Sequence, residues 1–193
     1  QATHVDAAYR AVGVSDKIGR GNVGATLQDL VDALAELPLD FSPGTHWLYS
    51  QATDIVGYLV QVLSGQRLDQ YLQEQIFNPL GMSETGFWVR PHQVERLSTN
   101  YRGVRGGGIE IVDDLEKSAY LHEPTFHSGS GGLVSTAGDY LRFCQMLLGK
   151  GTLEGERIIG RKTLELMTLN HITGGRSMAE AASQARWQDV AQQ

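Results

Sequence analysis

Residues 41–60 read Phe41-Ser42-Pro43-Gly44-Thr45-His46-Trp47-Leu48-Tyr49-Ser50-Gln51-Ala52-Thr53-Asp54-Ile55-Val56-Gly57-Tyr58-Leu59-Val60. Pro43-Gly44 marks a turn, because proline presets φ and glycine accepts a positive φ. Trp47-Leu48-Tyr49 is bulky and predicts a short buried extended segment. Ile55, Val56, Leu59, Val60 and Leu63 then recur at i, i+1, i+4, i+5 and i+8, one wide apolar stripe that predicts a buried helix stopping at Gly65. Tyr49 falls where the turn runs into the first turn of that helix. A phenol held there has backbone N–H groups and a helix N-terminus beside it, which makes it a candidate general base. The other reading of the same residue is a core tyrosine with a satisfied hydroxyl.

Working outward, Val5, Ala8, Tyr9 and Val12 predict a short helix, and Gly13, Gly19, Gly21 and Gly24 a loop. Thr26 is a candidate N-cap for a helix that puts Leu27, Leu30, Val31 and Leu34 on one face, with Asp29 in its first turn and Pro38 beyond its end. Downstream, a short helix over 68–76 turns Leu68, Tyr71, Leu72 and Ile76 inward, and Pro79-Leu80-Gly81-Met82 closes it. Thr85 to Val89 reads as a strand and Pro91 to Leu97 as a helical turn. The irregular stretch 100–125 predicts short hairpin strands, with Asp113 to Lys117 a solvated charge run. Thr136 and Asp139 begin a helix expected to bury Leu141, Cys144, Leu147 and Leu148. Glu154-Gly155 turns a short hairpin, and a last helix runs from Arg161 to about Leu169.

Composition bounds the function. The 193 residues, 41% apolar and 20% charged, are globular values for one domain. A net charge of −6 argues against nucleic acid as a partner. No apolar run approaches the roughly 18 residues of a membrane span. One cysteine, Cys144, excludes a disulfide within the chain. The six histidines show no ligand spacing such as i, i+4, and no phosphate-cradling loop with a following Lys-Ser/Thr occurs, so neither a metal nor another cofactor is expected. Ser128-Gly129-Ser130-Gly131-Gly132 tempts a nucleophile-elbow reading, but that motif needs Gly where Ser128 stands; a close-packed loop fits better.

The stretch Pro-Gly-Thr-x-Trp-x-Tyr-Ser-x-Ala-x-Asp-x-x-Gly resembles the tyrosine motif of the serine β-lactamase and penicillin-binding-protein superfamily. It is most similar to the family VIII carboxylesterases, which are themselves like class C β-lactamases. Leu63-Ser64-Gly65-Gln66, Ile76-Phe77-Asn78-Pro79-Leu80-Gly81-Met82, Thr85-Gly86-Phe87 and Gly131-Gly132-Leu133-Val134-Ser135-Thr136-Ala137-Gly138-Asp139-Tyr140 continue the resemblance in the family's order, over roughly residues 26 to 170. It implies an α/β (α+β) fold, β-lactamase/DD-peptidase-like. Most of the helical region would be present (26–82, with the tyrosine motif), then irregular short strands and loops (83–132), helices (133–170) and a polar tail (171–193). It further implies acyl transfer without a cofactor on a small-molecule ester or amide. Tyr49 would be the proton shuttle, Gln51 the amide that orients the acyl group, and His127 and Ser128 would face substrate.

The departures weigh as much as the matches. The superfamily's nucleophile is the serine of Ser-x-x-Lys, where one helical turn sets an amine beside the hydroxyl. The residues three before Lys17, Lys117, Lys150 and Lys162 are Val14, Asp114, Leu147 and Ile159, none a serine. Lys-Thr-Gly and its esterase counterpart Trp-Gly-Gly are absent as well, and Gln51 stands where class C enzymes carry Asn. The chain starts at Gln1 and ends in polar residues, so it is expected to be the middle of a longer enzyme. A non-catalytic binding or scaffold protein of the same fold is the alternative from another class, and a β-lactamase or D-alanyl-D-alanine peptidase differs only in substrate.

Overall fold

The computed structural model describes residues 4–14, 24–45, 49–177 and 180. The predicted loop glycines Gly19 and Gly21, and Trp47 and Leu48 of the predicted extended segment, lie outside them. Helix α1 spans His4–Ala11. Helix α2 spans Leu27–Ala35 and starts as predicted: the Thr26 hydroxyl accepts from the Asp29 N–H, and the Asp29 carboxylate accepts from the Thr26 N–H at 2.7 Å, a reciprocal capping box. The Pro43-Gly44 turn forms, with Gly44 at φ +83° and the Thr45 N–H donating to the Ser42 carbonyl at 3.2 Å. Helix α3 covers Ala52–Ser64 and ends on Gly65 at φ +70°. Helix α4, Leu68–Leu72, runs into a π-turn over Gln73–Phe77.

The remaining elements are small. A 3₁₀ turn spans Pro91–Arg96. Strands β1 (Asn100–Gly103) and β2 (Ile109–Asp113) form an antiparallel hairpin that pairs Tyr101 with Ile111 and Arg102 with Glu110. Helix α5, Ala137–Leu148, is capped by the Thr136 hydroxyl accepting from the Asp139 N–H at 3.2 Å. Strands β3 (Thr152–Leu153) and β4 (Glu156–Arg157) make the second hairpin around Glu154-Gly155, and α6 spans Arg161–Met167. The expected mixed class, helices with small antiparallel sheets, is the one observed.

Two apolar clusters hold these elements. Val14, Leu27, Leu30, Leu68, Phe87 and Phe126 form one; Phe77, Leu80, Met82 and Met146 form the other. Leu72 packs against both, so α4 is the seam between them.

Four expectations are overturned. The apolar stripe of α3 faces outward: Ile55, Val56, Leu59, Val62 and Leu63 are exposed, Leu63 by 85%. What α3 buries is Asp54 and Gly57, with Tyr58, Val60 and Gln61 half-buried; Asp54, Gly57, Tyr58 and Gln61 share one face at i, i+3, i+4 and i+7. Polar contacts hold that face, the Tyr58 hydroxyl donating to Gln28 and the Leu68 N–H to the Gln61 side chain at 3.1 Å. In α5, Leu141 and Leu148 point to solvent, whereas Asp139 and Met146 are buried and Phe143 packs on the second cluster. Residues 85–89 form no strand; Gly86 makes an isolated antiparallel bridge to Val134 with N–H to carbonyl distances of 3.1 and 2.8 Å, and the Val89 N–H donates singly to the Tyr120 carbonyl at 2.8 Å. Tyr49, expected in a buried segment, is 68% exposed.

Candidate active site

Tyr49 stands at the threshold of α3. The Ser50 hydroxyl accepts the Ala52 N–H at 3.2 Å, and the Gln51 carbonyl accepts those of Asp54 at 3.0 Å and Ile55 at 3.2 Å. Gln51 is therefore the helix N-cap by its backbone; its half-buried side chain makes no capping bond. Tyr49 stands two residues before that cap, at the positive end of the helix dipole.

Residues 126–132 pack onto the first turns of α3. Phe126 is part of the first apolar cluster, and His127 and Ser128 are buried. The Asp54 carboxylate, 2% exposed, accepts the Ser128 hydroxyl at 2.6 Å, the Ser130 hydroxyl at 2.7 Å and the Ser130 N–H at 3.3 Å. Backbones touch here: a β-carbon on Gly129 would lie 2.3 Å from the Thr53 carbonyl oxygen and 3.0 Å from the Gly57 Cα. Only glycine permits that approach. The loop is close-packed, as its composition predicts, and both serine hydroxyls are donated to Asp54.

His127 faces the other way. Its ring meets Phe87 edge-on, 5.1 Å between centroids, and its Nε2 lies 3.7 Å from the Asp69 Oδ2. Arg67 donates to both Asp69 oxygens, at 2.9 and 2.6 Å, and to Glu123 at 2.8 Å. Those hydrogen bonds raise the Arg67 pKa further. Burial pushes Asp69 up, but the Arg67 hydrogen bond and the His127 and Arg67 charges outweigh it and hold the carboxyl below its ordinary value. Burial likewise dominates His127 and pushes its pKa down, against the pull of Asp69 and Glu123. Asp69, Glu123 and His127 bring ligand-type atoms within 4.8 Å of one another, but the Arg67 guanidinium bridges the two carboxylates and supplies the cation. His127 and Asp69 also line a cavity of about 750 Å³ with Glu74, Phe87, Trp88 and His92.

The structure thus sorts the predicted site residues into two places. Tyr49 and Gln51 stand at the start of α3, and Ser128 joins that helix through Asp54. His127 lines the cavity, whereas Tyr49, Gln51 and Ser128 do not. Asp54 is the residue that sequence reasoning missed. Its signal was the polar stripe Asp54, Gly57, Tyr58, Gln61 at helical spacing on a helix whose other face is apolar.

The family model for Beta-lactamase matches residues 4–187. The chain belongs to the beta-lactamase family. It is 38% identical to Protein Rv1367c of Mycobacterium tuberculosis (strain ATCC 25618 / H37Rv) over 141 residues, covering 73% of this chain and 35% of that one. It is 29% identical to Esterase EstB of Burkholderia gladioli over 148 residues, 69% of this chain and 37% of EstB. Among solved structures, EstCE1, "a hydrolase with promiscuous acyltransferase activity", superposes with a TM-score of 0.68 at 26% identity, covering 82% of this chain and 43% of that one. The chain therefore spans little more than a third of the curated relatives it matches.

Proposed function

We propose that this chain is the tyrosine-bearing part of a serine hydrolase of the β-lactamase fold, an esterase of the family VIII kind that works through an acyl-enzyme. The observation that carries the reading is the packing of two motifs into one unit: the Tyr49–Gly57 segment and the Ser128–Gly132 loop, 74 residues apart, meet at Asp54. Likeness to EstB and EstCE1 supports the hydrolase class. In this reading a Ser-x-x-Lys serine, supplied by sequence beyond these 193 residues, attacks the carbonyl of an ester or amide. Tyr49 passes the serine hydroxyl proton to the leaving group, which departs with it; in deacylation it takes a proton from the attacking water and delivers one to the serine oxygen as the acyl bond breaks. Gln51 orients the acyl group, and the loop that bears His127 and Ser128 borders the acyl pocket, Ser128 with its hydroxyl held by Asp54 and His127 turned to the cavity beside Asp69.

The test is hydrolysis of p-nitrophenyl esters and a chromogenic cephalosporin by the full-length gene product, with fluorophosphonate labelling to locate the nucleophile. Ester turnover with the label on the Ser-x-x-Lys serine is the expected result. A label on Ser128 or Ser130 would restore the elbow reading and overturn this one. Because no serine stands three residues before any of the four lysines here, a binding protein of the same fold is the second reading. It predicts no turnover and no label.

A further inference from the structure

Asp54 needs an explanation that stability does not supply. An apolar residue of similar volume would fill a buried site at lower free-energy cost than a carboxylate, which must be surrounded by donors to be tolerated there. What the carboxylate does, and an apolar residue cannot, is fix direction. Its two oxygens take three donors from one short loop: the Ser128 hydroxyl at 2.6 Å and the Ser130 hydroxyl and N–H at 2.7 and 3.3 Å. The Ser128 hydroxyl in turn accepts the Ser130 N–H at 3.1 Å, so the loop is braced internally as well. On the other side, the Asp54 N–H donates to the Gln51 carbonyl at 3.0 Å, and the Ser50 hydroxyl accepts the Ala52 N–H. The turn after Tyr49 is thus braced by two interleaved bonds, and Asp54 joins the Gln51 bond to the loop that carries His127. The Gly129–Thr53 approach closes the same joint sterically.

We propose that Asp54 is a positioning residue of the acyl-transfer site. It holds residues 126–132 against the first turn of α3 and so sets where the acyl-pocket wall stands relative to Tyr49. This rests on the function proposed above. The chemistry needs such a device because displacing a site wall by about 1 Å costs on the order of 100-fold in rate. Two serine hydroxyls that look like nucleophiles in sequence are, on this view, the loop's anchors.

The experiment compares Asp54→Asn, Ser130→Ala and Gly129→Ala in the full-length gene product. It reads kcat and KM on a p-nitrophenyl ester, the melting temperature, and hydrogen exchange of the amides in 126–132. Asparagine keeps the shape of Asp54 but removes its charge and replaces one acceptor with an NH2 group, which a serine hydroxyl meets only by reversing its bond; the Gly129 β-carbon, 2.3 Å from the Thr53 carbonyl oxygen, opens the joint by steric contact and leaves the Asp54 carboxylate unchanged. The expected result is that Asp54→Asn lowers kcat by about 10- to 100-fold with KM changed by less than about 3-fold. Exchange in 126–132 should rise about 10-fold or more while α2 keeps its protection. Gly129→Ala should reproduce both effects, and the double variant should be no worse than either single one. If Asp54→Asn does not fold, Ser130→Ala, which removes one anchor, shows the same pattern at about 3- to 10-fold. A lowered melting temperature with unchanged kcat overturns the proposal and leaves Asp54 a structural residue. If the unsubstituted protein neither turns over nor labels, the esterase reading fails. The positioning role in acyl transfer then falls with it, and loop exchange decides only whether Asp54 anchors residues 126–132: raised by the substitutions it does, unchanged it does not.

Discussion

Asp139 and Thr85 are 54 residues apart, yet the Thr85 hydroxyl donates to the Asp139 carboxylate at 2.8 Å. The same oxygen accepts the Glu84 N–H, also at 2.8 Å. Both side chains are buried, and the bonds pin the start of α5 beside the Gly86–Val134 bridge. Asp139→Ala leaves the part-buried Glu84 N–H without its acceptor and the Thr85 hydroxyl with Ser135 alone, and is expected to cost about 2–3 kcal/mol in urea unfolding. Thr85→Val removes the hydroxyl together with its bonds to Asp139 and, at 2.8 Å, to the Ser135 hydroxyl, and is expected to cost about 1 kcal/mol. Equal losses for the two variants would mean that Asp139 does not act through these donors.

Tyr49→Phe keeps the ring and removes the one atom able to carry a proton. With the side chain two-thirds exposed, the melting temperature should stay nearly constant. Turnover of a p-nitrophenyl ester by the full-length gene product should fall by roughly 10²–10⁴, the range of a positioned acid–base group. Gln51→Ala should move KM or substrate preference more than kcat. A Tyr49→Phe enzyme with unchanged turnover removes Tyr49 from the chemistry.

Stability should fall on mild acidification. Burial, the dominant influence, holds the folded His127 below its ordinary value of 6.5. The unfolded chain therefore binds more protons over that interval, and stability is lost as pH drops from 6.5 toward the folded value. Comparing His127→Gln with the unsubstituted protein between about pH 7.5 and 5.5 isolates this contribution, which is at most about 1.4 kcal/mol per pH unit for one proton. Asp69, held below its ordinary 3.8, adds a second loss only as pH falls through and below that value. Identical slopes in the two proteins above pH 5 would show that His127 titrates as it does in the unfolded chain.

The outward apolar face of α3 should be detectable as dye binding. Ile55, Val56, Leu59, Val62 and Leu63 lie exposed on one helix, a contiguous patch of the kind that binds ANS. The 193-residue chain should enhance ANS fluorescence while still melting cooperatively, and Leu59→Glu with Leu63→Lys should cut that enhancement by about half or more without lowering the melting temperature. A large drop in melting temperature would mean that these side chains are packed in solution.

Much of the fold was legible in local chemistry. Thr26 and Thr136 cap the helices expected of them, Gly65 ends α3, and Glu154-Gly155 turns its hairpin. Helix orientation was not, because reading apolar stripes as inward assumes that apolar contacts decide which face is buried. In α3 they do not: Gln28 and Ser128, remote in sequence, satisfy its polar face, and no local pattern reports them. The Thr85–Val89 segment has the composition of a strand but meets two different partners, Val134 at Gly86 and Tyr120 at Val89, and so builds no ladder. At the site, Tyr49 and Gln51 sit where the turn and helix signals put them. Asp54 escaped because an acidic residue in the first helical turn is already accounted for by the helix dipole.

The joint at Asp54 also has a place in time. Helices α3 and α4 contact each other across a short link, whereas Asp54 and Ser128 close a span of 74 residues and Gly24 and Thr125 one of 101. Long spans close late, since their entropy is lost before their contacts repay it. Bonds that are absent from the transition state govern the lifetime of the native chain rather than the speed at which it forms. The Ser128 and Ser130 anchors therefore act as a brake on unfolding: loosening them quickens escape from the native state and leaves refolding nearly as fast as before.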